Sequence, residues 1–200
     1  MRVSRNYTVD HWKQLKFADE DDWHTAVSIF QDRLETRYLE HIRMLLPRST
    51  SGFVVLALDC ALMETLQQFR LGTRSTPSRQ GKKYFTAFLT TTLFSQHFDE
   101  KSAGLFYKTI RCGLLHQTEA GATSRVKRGS NLPLVSCTSD YSGIVVNTKL
   151  FHELLEKTIC EYLAELRNSK STTARAAFRR KMNYICRIEE KESEAVTPPK

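Results

Sequence analysis

Most apolar positions of this 200-residue chain recur at helical rather than strand spacing. Trp23, Val27, Phe30, Leu34, Tyr38 and Leu45 form the stripe of a long amphipathic helix that stops at Pro47. Four consecutive acids, Asp19 to Asp22, precede it and suit the positive end of its dipole. Ser51 and Gly52 open a second helix, and Phe53 to Leu62 is apolar on nearly every face, which marks the central, buried helix. Its only acids are Asp59 and Glu64, and a carboxylate on such a helix usually has a partner. Leu71 to Lys83, with Gly72, Pro77 and Gly81, reads as a loop. Tyr84, Phe85, Phe88, Leu89, Thr92 and Leu93 form a third helical face. His97-Phe98-Asp99 then turns into a fourth helix, with Asp99 as N-cap and Ala103, Phe106, Tyr107, Ile110 and Leu114 as its core face.

After Gly121 the pattern changes. Ser124 to Arg128 and Leu134 to Thr138 are short and rich in β-formers, Gly129-Ser130-Asn131 separates them, and Gly143 to Val146 follows. A small two- or three-strand β-hairpin or meander is expected at about 122–146. Asn147 or Thr148 caps the next helix, with the stripe Phe151, Leu155, Ile159, Tyr162 and Leu166. The expected fold is mainly α: a helical bundle over 1–168, then a C-terminal basic amphipathic helix over 169–190, then a disordered tail over 191–200. That last helix sets Phe178, Met182, Ile185 and Ile188 against a basic back face, so it packs on the domain, docks on a partner or lies along RNA, with packing or dimerisation preferred.

An apolar content of 40% can bury a core without disulfides. Five cysteines, an odd number with no C-x-x-C pair, fit reduced thiols in a cytosol. The first residues lack the apolar stretch of a signal peptide, and the longest apolar run, Phe53 to Leu58, is too short to span a bilayer. A soluble, cytoplasmic protein without a membrane partner is expected. Charge refines the picture. The net +8 arises wholly after residue 50. No acid separates Thr65 from Phe98, a stretch holding Arg70, Arg74, Arg79, Lys82 and Lys83; none separates Leu166 from Ile188, which holds seven Lys or Arg. Clustered unopposed cations fit a polyanionic partner, or else a solubilising surface.

The segment with the most chemistry is Tyr107-Lys108-Thr109-Ile110-Arg111-Cys112-Gly113-Leu114-Leu115-His116-Gln117. On a regular helix Arg111 and His116 point about 140° apart. Either the helix loosens at Gly113, or two copies of the chain face each other and both motifs line one cleft. Glu64 either orients the Arg111 guanidinium or points to solvent. Other chemistries lack their residues. His152-Glu153-Leu154-Leu155-Glu156 has one histidine and so no H-E-x-x-H zinc site, and neither a Gly-rich phosphate loop nor a G-x-S-x-G elbow is present. No metal site and no cofactor are expected.

Arginine, four residues, then histidine at the end of an inner helix resembles the HEPN domain, many of whose members are metal-independent endoribonucleases. The apolar helix ending Leu62 to Gly72, followed by Phe106-Tyr107 and Arg111 to Gln117, is similar to HEPN proteins carried on bacterial plasmids and mobile elements. The likeness covers about 51–166, with the motif helix at about 99–117. After the arginine, where active members often carry Asn, Asp or another polar residue, this chain has Cys112. The resemblance implies catalysis by Arg111 and His116, supported by Glu64, Cys112, Gln117 and Tyr107, in a homodimer with a composite site. RNA would lie along Arg70, Arg74, Arg79, Lys82, Lys83 and Lys108. RNA carries its own nucleophile, the 2'-hydroxyl; histidine moves protons and arginine stabilises the phosphorane. The implied products are a 2',3'-cyclic phosphate and a 5'-hydroxyl end. A toxin or phage-defence role, with an antitoxin partner, follows from the family, as does the alternative of a non-catalytic module binding RNA, a nucleotide or a protein.

Overall fold

The structure, a computed structural model, describes residues 1–129 and 131–188. The tail expected over 191–200 lies outside the described residues, as do Glu189, Glu190 and Ser130. After the short α1 (Val9–Lys13), α2 (Glu20–Leu34) runs through a π-helical turn, Glu35–Leu39, into α3 (Glu40–Leu45). The wider turn shifts the buried face, so that Leu39 and Ile42 follow Leu34 into the core, while Tyr38 and Leu45, expected there from a regular 3.6-residue period, are only partly buried. Three of the four acids at the start of α2 are structural anchors. Asp19 accepts the Asp22 N–H as N-cap, Asp22 accepts the Lys16 and Phe17 N–H groups, and Glu20 takes Arg175 by both oxygens.

Helix α4 (Gly52–Leu71) is the centre, packed against α5 (Gly81–Thr91), α8 (Thr148–Arg167) and α9 (Thr172–Ile185). Its uninterrupted apolar run is short, but by length and average composition the whole helix could cross a membrane; here half of its most apolar window is buried inside the protein. At its midpoint Asp59 is fully buried, 2.8 Å from Nδ1 of the equally buried His152. Burial raises the Asp59 pKa, and His152 offsets part of that rise. On the other side of the imidazole, Glu156 stands 3.6 Å from Nε2 and also receives Arg43 of α3. One polar chain thus ties α3, α4 and α8 together, running from exposed Arg43 inward to the buried Asp59.

Two groups of aromatic rings fill that core. Phe30, Phe69 and Phe178 join α2, α4 and α9, with the first two centroids 4.3 Å apart. Phe85, Phe94, Phe98, Phe106 and Phe151 join α5, a 3-10 turn (Leu93–Gln96), α6 (Glu100–Phe106) and α8, with Phe106 stacked on Phe151 at 5.2 Å. Phe94 in the 3-10 turn takes the core place expected of Leu93. Because Phe178 and Met182 share this core, α9 is a packed helix of the domain. Two cations of its basic face are structural: Arg175 pairs with Glu20 and bonds the Leu166 carbonyl, and Lys181 bonds Gln68 and the Arg74 carbonyl.

The β segment differs from a meander. Strands β1 (Arg125–Lys127), β2 (Val135–Cys137) and β3 (Ile144–Asn147) lie in the order β1-β3-β2, with β3 parallel to β1 and antiparallel to β2. The last strand takes the middle because Ile144 and Val146 give it the most apolar face, and Val146 pairs with Val126 on one side and Val135 on the other.

Candidate functional site

The helix carrying the Arg111 motif starts where the sequence indicates. Asp99 and Ser102 form a capping box, the Asp99 side chain accepting the Ser102 N–H at 2.7 Å and the Ser102 hydroxyl accepting the Asp99 N–H at 2.9 Å. Ala103, Phe106, Ile110 and Leu114 are buried, and Tyr107 is half-buried. A π-helical turn, Tyr107–Arg111, joins α6 to α7 (Cys112–Gln117). The loosening therefore lies upstream of Arg111 rather than at Gly113. The helix is regular from Cys112 to Gln117, and at regular spacing the five residues from Arg111 to His116 leave their directions about 140° apart. Gly113 serves a close approach instead. Thr118 turns left-handed at φ 54°, the chain folds back over α7, and a Cβ on Gly113 would stand 2.3 Å from the Glu119 carbonyl oxygen. The returning strand is pinned where the Gly121 N–H bonds the Thr109 carbonyl at 2.8 Å.

Arg111 turns inward. Its Nη2 bonds Glu64 Oε2 at 2.8 Å, so the Glu64–Arg111 pairing considered from the sequence is present, and its guanidinium lies 5.5 Å from the centroid of the Tyr107 ring. Burial works against the charge, but the Glu64 hydrogen bond and charge outweigh it and raise the Arg111 pKa above its ordinary value. Among the described residues its buried Nε has no hydrogen-bond partner. Burial, then the neighbouring Cys112, raises the Tyr107 hydroxyl pKa, and complete burial raises that of the Cys60 thiol, one turn before Glu64. Glu64, Tyr107, Arg111 and Cys112 form one cluster. His116 and Gln117 stand outside it, exposed at the end of α7, as does the exposed Lys108. One chain does not bring Arg111 and His116 together.

The basic loop adjoins this helix at one end. Gly81 lies against the Tyr107 hydroxyl and the Lys82 side chain lies over Gly104 of α6. Arg74, Arg79, Lys82 and Lys83 are exposed, and Lys181 and Gln68 anchor the loop through Arg74 and Thr76. Arg70 does not belong with them: it lines a separate cleft beside Glu161 and Glu165 of α8. The helical period of α4 turns it away, and its spacing in sequence hides this.

The buried Asp59–His152 pair was missed as a unit. Its signal was legible in part, since His152 falls three and seven residues before Leu155 and Ile159 on the buried stripe of α8. Among the described residues no group of three or more His, Cys, Asp and Glu could hold a metal ion. No protein-family model, curated protein or solved structure matches the chain.

Proposed function

We propose that the chain is a metal-independent endoribonuclease of HEPN type, working in the cytoplasm as a two-fold homodimer. The observation that carries the reading is the placement of the two motif residues: Arg111 is held by Glu64 and Tyr107 at the end of a π-helical turn, while His116 is exposed at the end of α7. Pairing two such helices across a dyad would set an arginine of one protomer beside a histidine of the other, which a divergence of about 140° disfavours within one chain. Exposed apolar residues fit that pairing. Leu115 lies next to His116, while Val54 and Ala61 on α4 share a helical face whose edge carries Glu64.

In this reading His116 transfers a proton to or from the reacting oxygens, and Arg111 stabilises charge on the phosphorane. Gln117 and Cys112 support the two groups, and Lys82, Lys83, Arg74, Arg79 and Lys108 guide the strand. A toxin or phage-defence setting with a protein antitoxin accords with the resemblance. The test is cleavage of single-stranded RNA in EDTA. His116→Ala should lower the rate by about 10²–10⁴-fold, and Arg111→Lys should fail because a point charge does not replace a planar fork. Wild-type protein that binds RNA and leaves it intact would favour a non-catalytic binding module. The feature on that side is Cys112, a poor hydrogen-bonding neighbour for a catalytic arginine.

A further inference from the structure

At the end of α4 remote from Glu64, a cleft of about 710 Å³ opens between the segment after α3, the end of β1 and the start of α8. Lys127, Arg128 and Lys149 line it, and among the described residues no acid does. Arg128 is held in place by its bond to the Arg48 carbonyl, at 2.7 Å. Lys127 is exposed, and Lys149 has Glu153 only at 3.8 Å, one turn along its own helix. These cations are not neutralised within the cleft.

The walls contribute more than side-chain charge. Two 20-residue helices, α4 and α8, begin here side by side: a Cβ on Gly52 would stand 3.3 Å from Val126 Cγ1 and 3.4 Å from Thr148 Oγ1. Neither helix has an acid in its first turn or a side-chain cap, whereas α2 and α6 have both. The Ser51 hydroxyl donates to the Leu45 and Arg48 carbonyls and the Asn147 amide nitrogen to those of Gly129 and Leu132, and neither side-chain oxygen accepts from its helix. Among the described residues no side chain caps either helix start, so first-turn N–H groups face an anion position in a cavity whose cations select one. Phe53, also in the lining, is 37% exposed and offers a ring face beside that anion position.

We propose that this cleft binds a nucleoside phosphate, the phosphate held by Lys127, Lys149 and the two helix starts, and the base resting on Phe53. The ligand is a free nucleotide or one nucleotide of an RNA strand. Gly52 and Glu64 are twelve residues apart on α4, about 18 Å, so the site is separate from Arg111 and His116 and does not depend on their being catalytic.

Calorimetric titration of the full chain with 5'-AMP, adenosine, inorganic phosphate and a 2'-O-methyl hexanucleotide tests this, the methyl groups preventing cleavage. AMP should bind more tightly than adenosine or phosphate. Lys127→Glu with Lys149→Glu should weaken AMP at least tenfold, with Lys127→Gln alone as the milder variant. Both lysines are exposed, and an unchanged melting curve verifies folding. Phe53→Ala should weaken AMP and leave phosphate unaltered. Binding of the hexanucleotide but not AMP, with the same lysine dependence and a shallower salt slope in the variant, assigns the site to a strand. No binding of either, or binding indifferent to the lysines, overturns the proposal; equal affinity for AMP and phosphate overturns the nucleoside assignment. RNA cleavage can fail or succeed under any of these outcomes.

Discussion

Replacing Gly113 by alanine sets two effects of opposite sign against each other. Alanine is favoured over glycine in a helix interior by about 1 kcal/mol. Against this, the new Cβ would stand 2.3 Å from the Glu119 carbonyl oxygen, a backbone atom, where ordinary contact begins at 3.4 Å. The returning segment must move by roughly 1 Å, which strains the Gly121–Thr109 hydrogen bond and loosens the buried Ala120. Overpacking of this kind costs about 1–3 kcal/mol, and a lost hydrogen bond adds about 0.5–1.5 kcal/mol. The net expectation is destabilisation by about 0.5–3.5 kcal/mol, a drop of roughly 1–14 °C in Tm at 2–4 °C per kcal/mol for a chain of this size. Gly104→Ala is the internal control. There the Cβ meets only the flexible Lys82 side chain, 3.5 Å away, so propensity should win and Tm should rise. Thermal melts followed by circular dichroism measure both, and a Gly113→Ala protein as stable as wild type would refute the close-approach explanation.

Removing His152 should be costlier, because it leaves the Asp59 carboxyl buried alone: His152→Ala should lose about 3–5 kcal/mol in urea unfolding, and a loss under 1 kcal/mol would contradict the pair. The exposed Asp140 accepts hydrogen bonds from the Thr138 hydroxyl and Ser142 N–H, which lower its pKa from 3.8 to about 2. A depressed carboxylate stabilises the fold above its unfolded pKa and loses that effect as pH falls through the folded one, so NMR should show the Thr138–Gly143 turn intact at pH 4 and loosening toward pH 2; a midpoint near 4 would count against it. Light scattering should give a dimer at micromolar concentration, and a monomer would remove the composite site.

Helical elements were the most legible part of the sequence because each buries a stripe with a regular period. Phe151, Leu155, Ile159, Tyr162 and Leu166 are all buried as the spacing indicates. Legibility failed where the period slipped: the π turn at Glu35–Leu39 advances the chain by one residue and exchanges Tyr38 for Leu39. Strand order was hidden because three- and four-residue strands carry no pairing signal of their own, and only burial of β3 sets it at the centre. At the candidate site, the pairing of Glu64 with Arg111 was open to sequence reasoning as one of two choices, since an acid on an apolar helix needs a partner. The role of Gly113 was not, since its neighbour arrives from a left-handed turn beyond the helix. Nor was the fate of Arg175 and Lys181, which a charge count assigns to a free basic face and the fold spends on Glu20, Gln68 and backbone carbonyls.

The most direct measurement of the ribonuclease reading is product analysis on a single-stranded RNA, in EDTA, beside the same oligonucleotide with one 2'-deoxy residue at the scissile position. If the 2'-hydroxyl is the nucleophile and His116 and Arg111 serve it, the all-ribose strand should yield a 2',3'-cyclic phosphate and a 5'-hydroxyl end, and the substituted strand should stay intact at that position. Cleavage at the deoxy position, or no cleavage of either strand by the folded dimer, would contradict it.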